Sequence, residues 1–550
     1  MRNLLFLLLA PALLFGQSSD SAIEDLLNST DSESPLPDSL ELAAMSLLKP
    51  DSGLSGSRED LLVRSNRVRF QSSYQWSRSD EKRPSWSDTW ARTRLTTYSG
   101  KRLNSDLIVV RRVDDPRVID ELHLTIAGFH QASEVIYTLG TYQFDWGLGI
   151  LSSGAFGAAR SLAYFHSSSV SVGKGVLPRT TSREASWLRG IALSKEIGRT
   201  NLTAFGNYRE WNANTLETPA KLTGVLNTSS PLSISRRDKV EERSFGGSFE
   251  FKSSSVSTGF VAQTSDFDPV IEEADRLNSL AGYGSANWNN LQASVEIARS
   301  GDETAWMAML LRGTVHWRGA FYAMYAAPQY YAPRSQGAFT FGESFQNSRV
   351  IGARIGVTRD KHDFGLDLRS NRSLEGSSES IPVNYSDELT AGWTFNAAAN
   401  AQLETRAFFA NRCDDVRERQ SHSLRVEPTW TRLLVWSARF ELRRFDTANN
   451  SESGQGNYLH VQAVRPEGKL RPGVRVAAFD LDDLDSPMQV YEPSVAGAYP
   501  LENFSGNGMR LSGWLSLNLG DWDVKTKVSW LNGESGKDSS EFALAVAFRQ

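Results

Sequence analysis

Residues 67 to 550 alternate between apolar and polar side chains with a period of two, and this constrains the chain more than any single motif. In MRLSGWLSLNL, Met509, Leu511, Leu515, Leu517 and Leu519 share one face, opposite Arg510, Ser512, Ser516 and Asn518. Gly520-Asp521 turns the chain, and in DVKTKVSW the residues Val524, Val528 and Trp530 oppose Lys525, Lys527 and Ser529. Two such runs about a Gly-Asp turn spell a hairpin. WSARFELRR repeats the pattern, with Trp436, Ala438, Phe440 and Leu442 against Ser437, Arg439, Glu441 and Arg443. Roughly two dozen segments of about 9 to 12 residues follow this rule, with no long amphipathic helix among them.

A soluble sandwich or propeller would bury the apolar faces in protein, whereas a transmembrane barrel points them at lipid and keeps charges in a wet lumen. Three features favour the barrel. Formal charges such as Arg439, Glu441, Arg443, Lys525 and Lys527 sit on the polar faces. Tryptophans (Trp90, Trp306, Trp317, Trp393, Trp436, Trp530) fall near expected strand ends, as interfacial girdles require. The chain closes on EFALAVAFRQ, in which Phe542, Leu544, Val546 and Phe548 face one way and small alanines the other. The expected fold is a large antiparallel transmembrane β-barrel over residues 67–550, with an even strand number between about 18 and 26.

MRNLLFLLLAPALLFGQ has the form of a secretory signal peptide over residues 1–16: Arg2, an apolar run from Leu4 to Phe15, then Gly16. Residues 17–66 are rich in Ser, Asp, Glu and Pro with short apolar clusters. They read as an acidic flexible periplasmic arm with one or two brief helices, serving as a linker or as a site for a periplasmic partner. Cys413 is the one cysteine, so no internal disulfide forms. The net charge of −5 offers no general basic face for nucleic acid. The export signal and the barrel together predict the outer membrane of a diderm bacterium, with membrane lipid and the barrel assembly machinery as partners and no cofactor.

The stretch GTYQFDWGLGILSSGAFGAAR (140–160) departs from the alternation, and VGKGVLPRTTSREASWLRGIALS (172–194) follows it. Gly140, Tyr142, Gln143, Gly147, Gly149, Lys174, Gly175, Ser182, Glu184, Arg189 and Gly190 resemble a motif series in a family of exported bacterial proteins that join ComEA-like helix-hairpin-helix repeats to a long outer-membrane barrel. A second block, VYEPSVAGAYPLENFSGNGMRLSG (490–513), is similar to a late loop of that family, with Gly506, Gly508 and Arg510 in place. The resemblance implies a barrel related to envelope DNA handling. The helix-hairpin-helix module needs a tight glycine hairpin between two short helices, and residues 17–66 offer only SGLSGSRED. No direct nucleic-acid binding is therefore expected.

Between Trp146 and Trp187, Arg160, His166, Lys174, Arg179 and Arg183 are opposed by Glu184 alone, with Arg189 just beyond. So long a connection is either an external loop or a segment folded into the lumen as a constriction favouring anions. The expected function is a channel or transport pore with a charged lumen and no enzyme activity. The alternatives are an envelope binding or assembly component and an outer-membrane hydrolase using His166 and the adjacent serines. IEEADR and FDLDDLD (Asp480, Asp482, Asp483, Asp485) are acidic candidates for calcium whose spacing does not match an EF-hand.

Overall fold

In the computed structural model the described residues are 67–79, 89–99, 103–111, 119, 121–152, 172–173, 175–178, 187–215, 220–222, 235–271, 276–314, 316–335, 347–374, 384–398, 400–414, 417–447, 453–482, 488–491, 501–504, 506–533 and 539–549. The signal-peptide and acidic-arm readings lie outside them. One antiparallel sheet closes on itself as a 24-stranded barrel, and the short strand Gly175–Pro178 pairs along one inner edge of it. Closure joins Arg67–Ser79 to Ser539–Arg549, with Phe70 opposite Phe548 and Trp76 opposite Phe542. Full closure leaves no exposed sheet edge around most of the circumference, which is how β-structure tolerates lipid.

The alternation falls as the sequence predicts. Trp436, Phe440 and Leu442 are exposed on the outside, while Ser437, Arg439 and Glu441 of the same strand are buried inside. Gly506–Leu519 and Trp522–Gly533 form the expected hairpin about Gly520-Asp521. Val528 and Trp530 face out, and Lys527 and Ser529 face in. Trp522 and Trp530, both exposed, lie eight residues apart on one strand. That is about 26 Å along the strand, or roughly 20 Å of height at a tilt of about 40°, most of an apolar membrane band. Trp288, Trp317, Trp430 and Trp436 flank the same end as Trp522, and Trp306 flanks the other. Trp393 is half-buried and stacks on His362 and Phe364, while the side chain of Trp90 lies outside the described residues.

The two ends differ. At the end bearing Arg67 and Arg549 the connections are brief, such as 198–199, 289–290, 360–361 and 520–521. At the opposite end several are long: 146–186, 212–239, 327–347 and 482–505.

Glu541 locks the closing seam. Its carboxylate accepts hydrogen bonds from Gln75 (2.9 Å), Arg510 (3.0 Å) and Ser529 (2.9 Å), and it pairs with Lys527 at 3.2 Å. Those donors stand on three other neighbouring strands. Glu541→Ala strands two buried cations and is expected to cost about 3–5 kcal/mol. The check is the temperature at which the folded band is lost in detergent gels, with Glu541→Gln falling between the two.

Candidate functional site: an inward-folded segment and a divided lumen

The strands Val135–Asp145 and Trp187–Ile197 pair from Val135 to Gln143, and within that ladder Gly140 lies opposite Gly190. At these two glycines the pair leaves the wall. The strand Glu121–His130 stops pairing with Val135–Asp145 at the Thr125–Gly140 position. On the other side, Thr200–Trp211 stops pairing with Trp187–Ile197 at Gly190 opposite Asn207. Gly140 has φ +91°, and a Cβ there would sit 1.9 Å from the Leu124 carbonyl oxygen. A Cβ at Gly190 would sit 2.2 Å from the Gly206 oxygen. Only glycine fits either approach.

Beyond the hinge Thr141, Tyr142, Gln143 and Phe144 are all buried, although adjacent strand residues point to opposite faces. Protein therefore surrounds this tip on both sides. Gly175–Pro178 pairs along its free edge, and the Tyr142 hydroxyl donates to the Gly206 carbonyl at 2.9 Å. Next come residues 146–152, closed on themselves by the Trp146 N–H donating to the Ser152 carbonyl at 3.1 Å. Trp146, Leu148, Ile150 and Leu151 are buried against the inner face of the wall between Arg276 and Ala326, among Tyr283, Met307, Met309 and Met324. The Trp146 and Tyr283 rings meet edge-on at 4.9 Å.

One carboxylate holds this segment. Glu296, fully buried and pointing inward from Leu291–Ser300, accepts a hydrogen bond from the Leu148 N–H. The Gly149 N–H closes the turn by donating to the Trp146 carbonyl at 3.2 Å. A Cβ at Gly147 would lie 2.6 Å from Glu296 Oε2, so the backbone could not approach with any larger residue.

A second segment, 327–335, folds in beside the first. The Tyr330 hydroxyl donates to the Ile150 carbonyl at 3.1 Å, and Ser300 Oγ donates to the Tyr331 carbonyl at 2.5 Å. The Arg334 guanidinium is buried on Glu242, which also accepts from Trp211 Nε1 at 2.8 Å. Arg209 lies between the Trp187 and Trp211 rings, 4.1 and 3.6 Å from their centroids, and donates to the Trp187 carbonyl at 2.6 Å. A third inward piece, the hairpin of Met488–Tyr491 and Leu501–Phe504, packs Val490 and Phe504 on Tyr458, Ala477 and Phe479.

The lumen is thus divided. Strands between Trp187 and Ala326 have mixed inner faces covered by inward-folded chain, with an apolar cluster around Tyr283, Met307, Met309 and Met324 beside buried polar groups such as Glu242, Glu250, Gln292 and Glu296. Most strands from Ser348 to Arg549 carry ionic inner faces. There Glu441 gathers Arg425 (3.0 Å), Arg443 (2.7 Å) and Arg439, Arg354 pairs with Asp367, and Arg475 donates to Gln462 at 2.6 Å. Guanidinium and ammonium groups outnumber carboxylates on this described inner face.

Of the residues singled out in the sequence, Gly140, Tyr142, Gln143, Gly147, Gly149, Gly175 and Gly190 come together at the inward segment. Gly506, Gly508 and Arg510 open the strand Gly506–Leu519, well away from it, where Arg510 reaches Glu541. Arg189 is exposed, its guanidinium 5.3 Å from the Trp187 ring centroid. Arg160, His166, Lys174, Arg179, Ser182, Arg183 and Glu184 lie outside the described residues, as do Asp483 and Asp485. Asp480 points outward, and no group of three potential metal ligands occurs among the described residues. Sequence reasoning missed Glu296, Glu242 and Arg334. The signal for the last was APQYYAPRS, where two prolines and paired tyrosines break the alternation.

No family model matches the chain, and no curated protein does. Among solved structures, the P pilus usher (PapC) translocation pore is similar at TM-score 0.39 and 8% identity, covering 88% of this chain and 99% of that one. The copper transporter OprC is similar at TM-score 0.41 and 8% identity, with 88% and 80% covered. The anion-selective porin from Comamonas acidovorans is similar at TM-score 0.28 and 10% identity, with 64% and 100% covered. Likeness this distant carries no argument about function, and the closed barrel rests on its own strand pairing.

Proposed function

We propose that the chain is an outer-membrane transport pore whose passage runs along the ionic wall, narrowed by the segment that turns inward at Gly140 and Gly190. The single observation that carries this reading is the division of the lumen. Burying Trp146, Leu148, Ile150 and Leu151 is worth on the order of 8 kcal/mol together. Such a segment is a fixed wedge rather than a freely swinging lid, and it leaves the ionic wall to line the path. The brief connections belong on the periplasmic side and the long ones outside, as in outer-membrane barrels. The C-terminal strand would be read by the barrel assembly machinery, and the acidic arm of residues 17–66 would meet a periplasmic partner.

Excess positive charge along the passage favours anions. In a planar bilayer under a tenfold KCl gradient, the reversal potential is expected on the anion-selective side. Lys525→Glu with Arg443→Glu should move it toward zero or past it. An unchanged reversal potential would contradict a path along this wall.

Kinship with the helix-hairpin-helix family remains a proposal supported by Gly140, Tyr142, Gln143 and Gly190. Residues 17–66 offer only SGLSGSRED where that family has its glycine hairpin, so no nucleic-acid contact is proposed for this chain.

A further inference from the structure

Resting on the outer-membrane reading, we propose that the outside of the wall carries a site for a phosphorylated lipid of the outer leaflet. The site spans six strands: Trp317–Ala326, Ser348–Arg359, His362–Arg372, Tyr385–Ala398, Ala401–Asp414 and Arg417–Thr431. Their outward residues lie in rows across the ladders. Ile355 and Leu366 share an apolar row, and Leu368, Leu389 and Phe409 share the next toward the long-connection end. Ser370, Asp387 and Asn411 then form a polar row, and Arg349 and Arg372 face each other in the last. Polarity therefore rises row by row, as it does between acyl chains and headgroups.

Two observations make this more than a boundary. A groove of about 560 Å³ crosses the middle rows, lined by Phe321, Ile351, Leu368, Leu389 and Phe409, with Ser370 and Asp387 toward its polar rim. An apolar groove on the lipid-facing side of a barrel is covered by lipid and nothing else. Above it, the Arg349–Arg372 pair sets like charges directly opposite, which destabilises a ladder unless an anion lies between them. Asp387 answers Arg372 at 2.7 Å, and the Arg372 guanidinium lies 5.0 Å from the Tyr385 ring centroid. Arg349 is exposed and has no ion-pair partner among the described residues.

The two arginines stand two residues, about 7 Å, beyond Ile351 and Ser370. A phosphate there would take charge-assisted hydrogen bonds from both guanidinium groups while its acyl chain lay in the groove. The half of the site below Ser370 offers inorganic phosphate nothing, so the occupant is an amphiphile.

The test incubates the full chain, folded in detergent, with monophosphoryl lipid A and measures retained lipid by native mass spectrometry, recording bilayer conductance in parallel. Wild type is expected to retain one lipid. Arg349→Ala with Arg372→Ala should reduce retention at least tenfold, and Ala353→Trp, which fills the groove floor in the row of Leu368, Leu389 and Phe409, should do so independently. Currents should be the same in all three. Equal retention by wild type and both variants overturns the site, as does equal retention of uncharged dioleoylglycerol. Protection of the arginines by inorganic phosphate without lipid retention overturns the lipid assignment. Loss of current with lipid retention intact contradicts the pore reading instead.

Discussion

Glu296→Ala is expected to raise single-channel conductance and to make the current fluctuate between levels. The substitution removes the carboxylate that accepts from the Leu148 N–H and leaves that donor buried without its acceptor. It also opens a cavity against a packed segment. An unsatisfied donor costs about 1–3 kcal/mol, and a side-chain cavity adds a comparable amount. The loss is smaller than the apolar burial that seats Trp146 and its neighbours, so the segment should loosen rather than leave. Trp146→Ala combined with Glu296→Ala removes both supports and should give the larger, steadier current. Glu296→Gln keeps an acceptor and should stay close to wild type. Identical conductance in all four proteins would mean that residues 146–152 do not narrow the path.

Gly140→Val is expected to abolish barrel assembly. A Cβ 1.9 Å from the Leu124 carbonyl oxygen overlaps backbone that neighbouring ladders hold fixed, and a β-branched residue is strained at φ +91°. Gly190→Val meets the Gly206 oxygen at 2.2 Å and should fail in the same way. Gly392→Ala is the control, since a Cβ there has nothing within 4 Å. The readout is the heat-modifiable band of a folded barrel, expected for Gly392→Ala and absent for both valine variants. If Gly140→Val assembles with normal stability, the hinge described at residues 140 and 190 is wrong.

Particular residues show what could be read in advance. Arg439 and Glu441 point into the lumen because a period of two admits only two faces, and Trp436 and Phe440 claim the lipid side. Phe542 and Ala543 divide in the same way at the closing strand. The glycine-rich stretch at residues 140–160 was harder, because small residues suit an external turn and a close internal approach equally. What decides between them is that Gly140 lies across from Gly190, a pairing fifty residues long that no local pattern announces. Glu296 was hidden for a different reason. In SVEIARS it reads as one more polar-face residue of an alternating strand, and its role depends on Leu148, far away in the chain. Arg334 and Glu242 likewise meet only because residues 327–335 fold inward.

The central claim is that a closed barrel whose lumen is partly filled by inward-folded chain still conducts along its ionic wall. The most direct test is a single-channel recording of the refolded wild-type chain in a planar bilayer, under a KCl gradient. The account predicts discrete current steps with anion preference, smaller than those of the Trp146→Ala, Glu296→Ala double variant. A folded, heat-modifiable barrel that passes no current in either form would contradict it and would favour a binding or assembly role at the envelope.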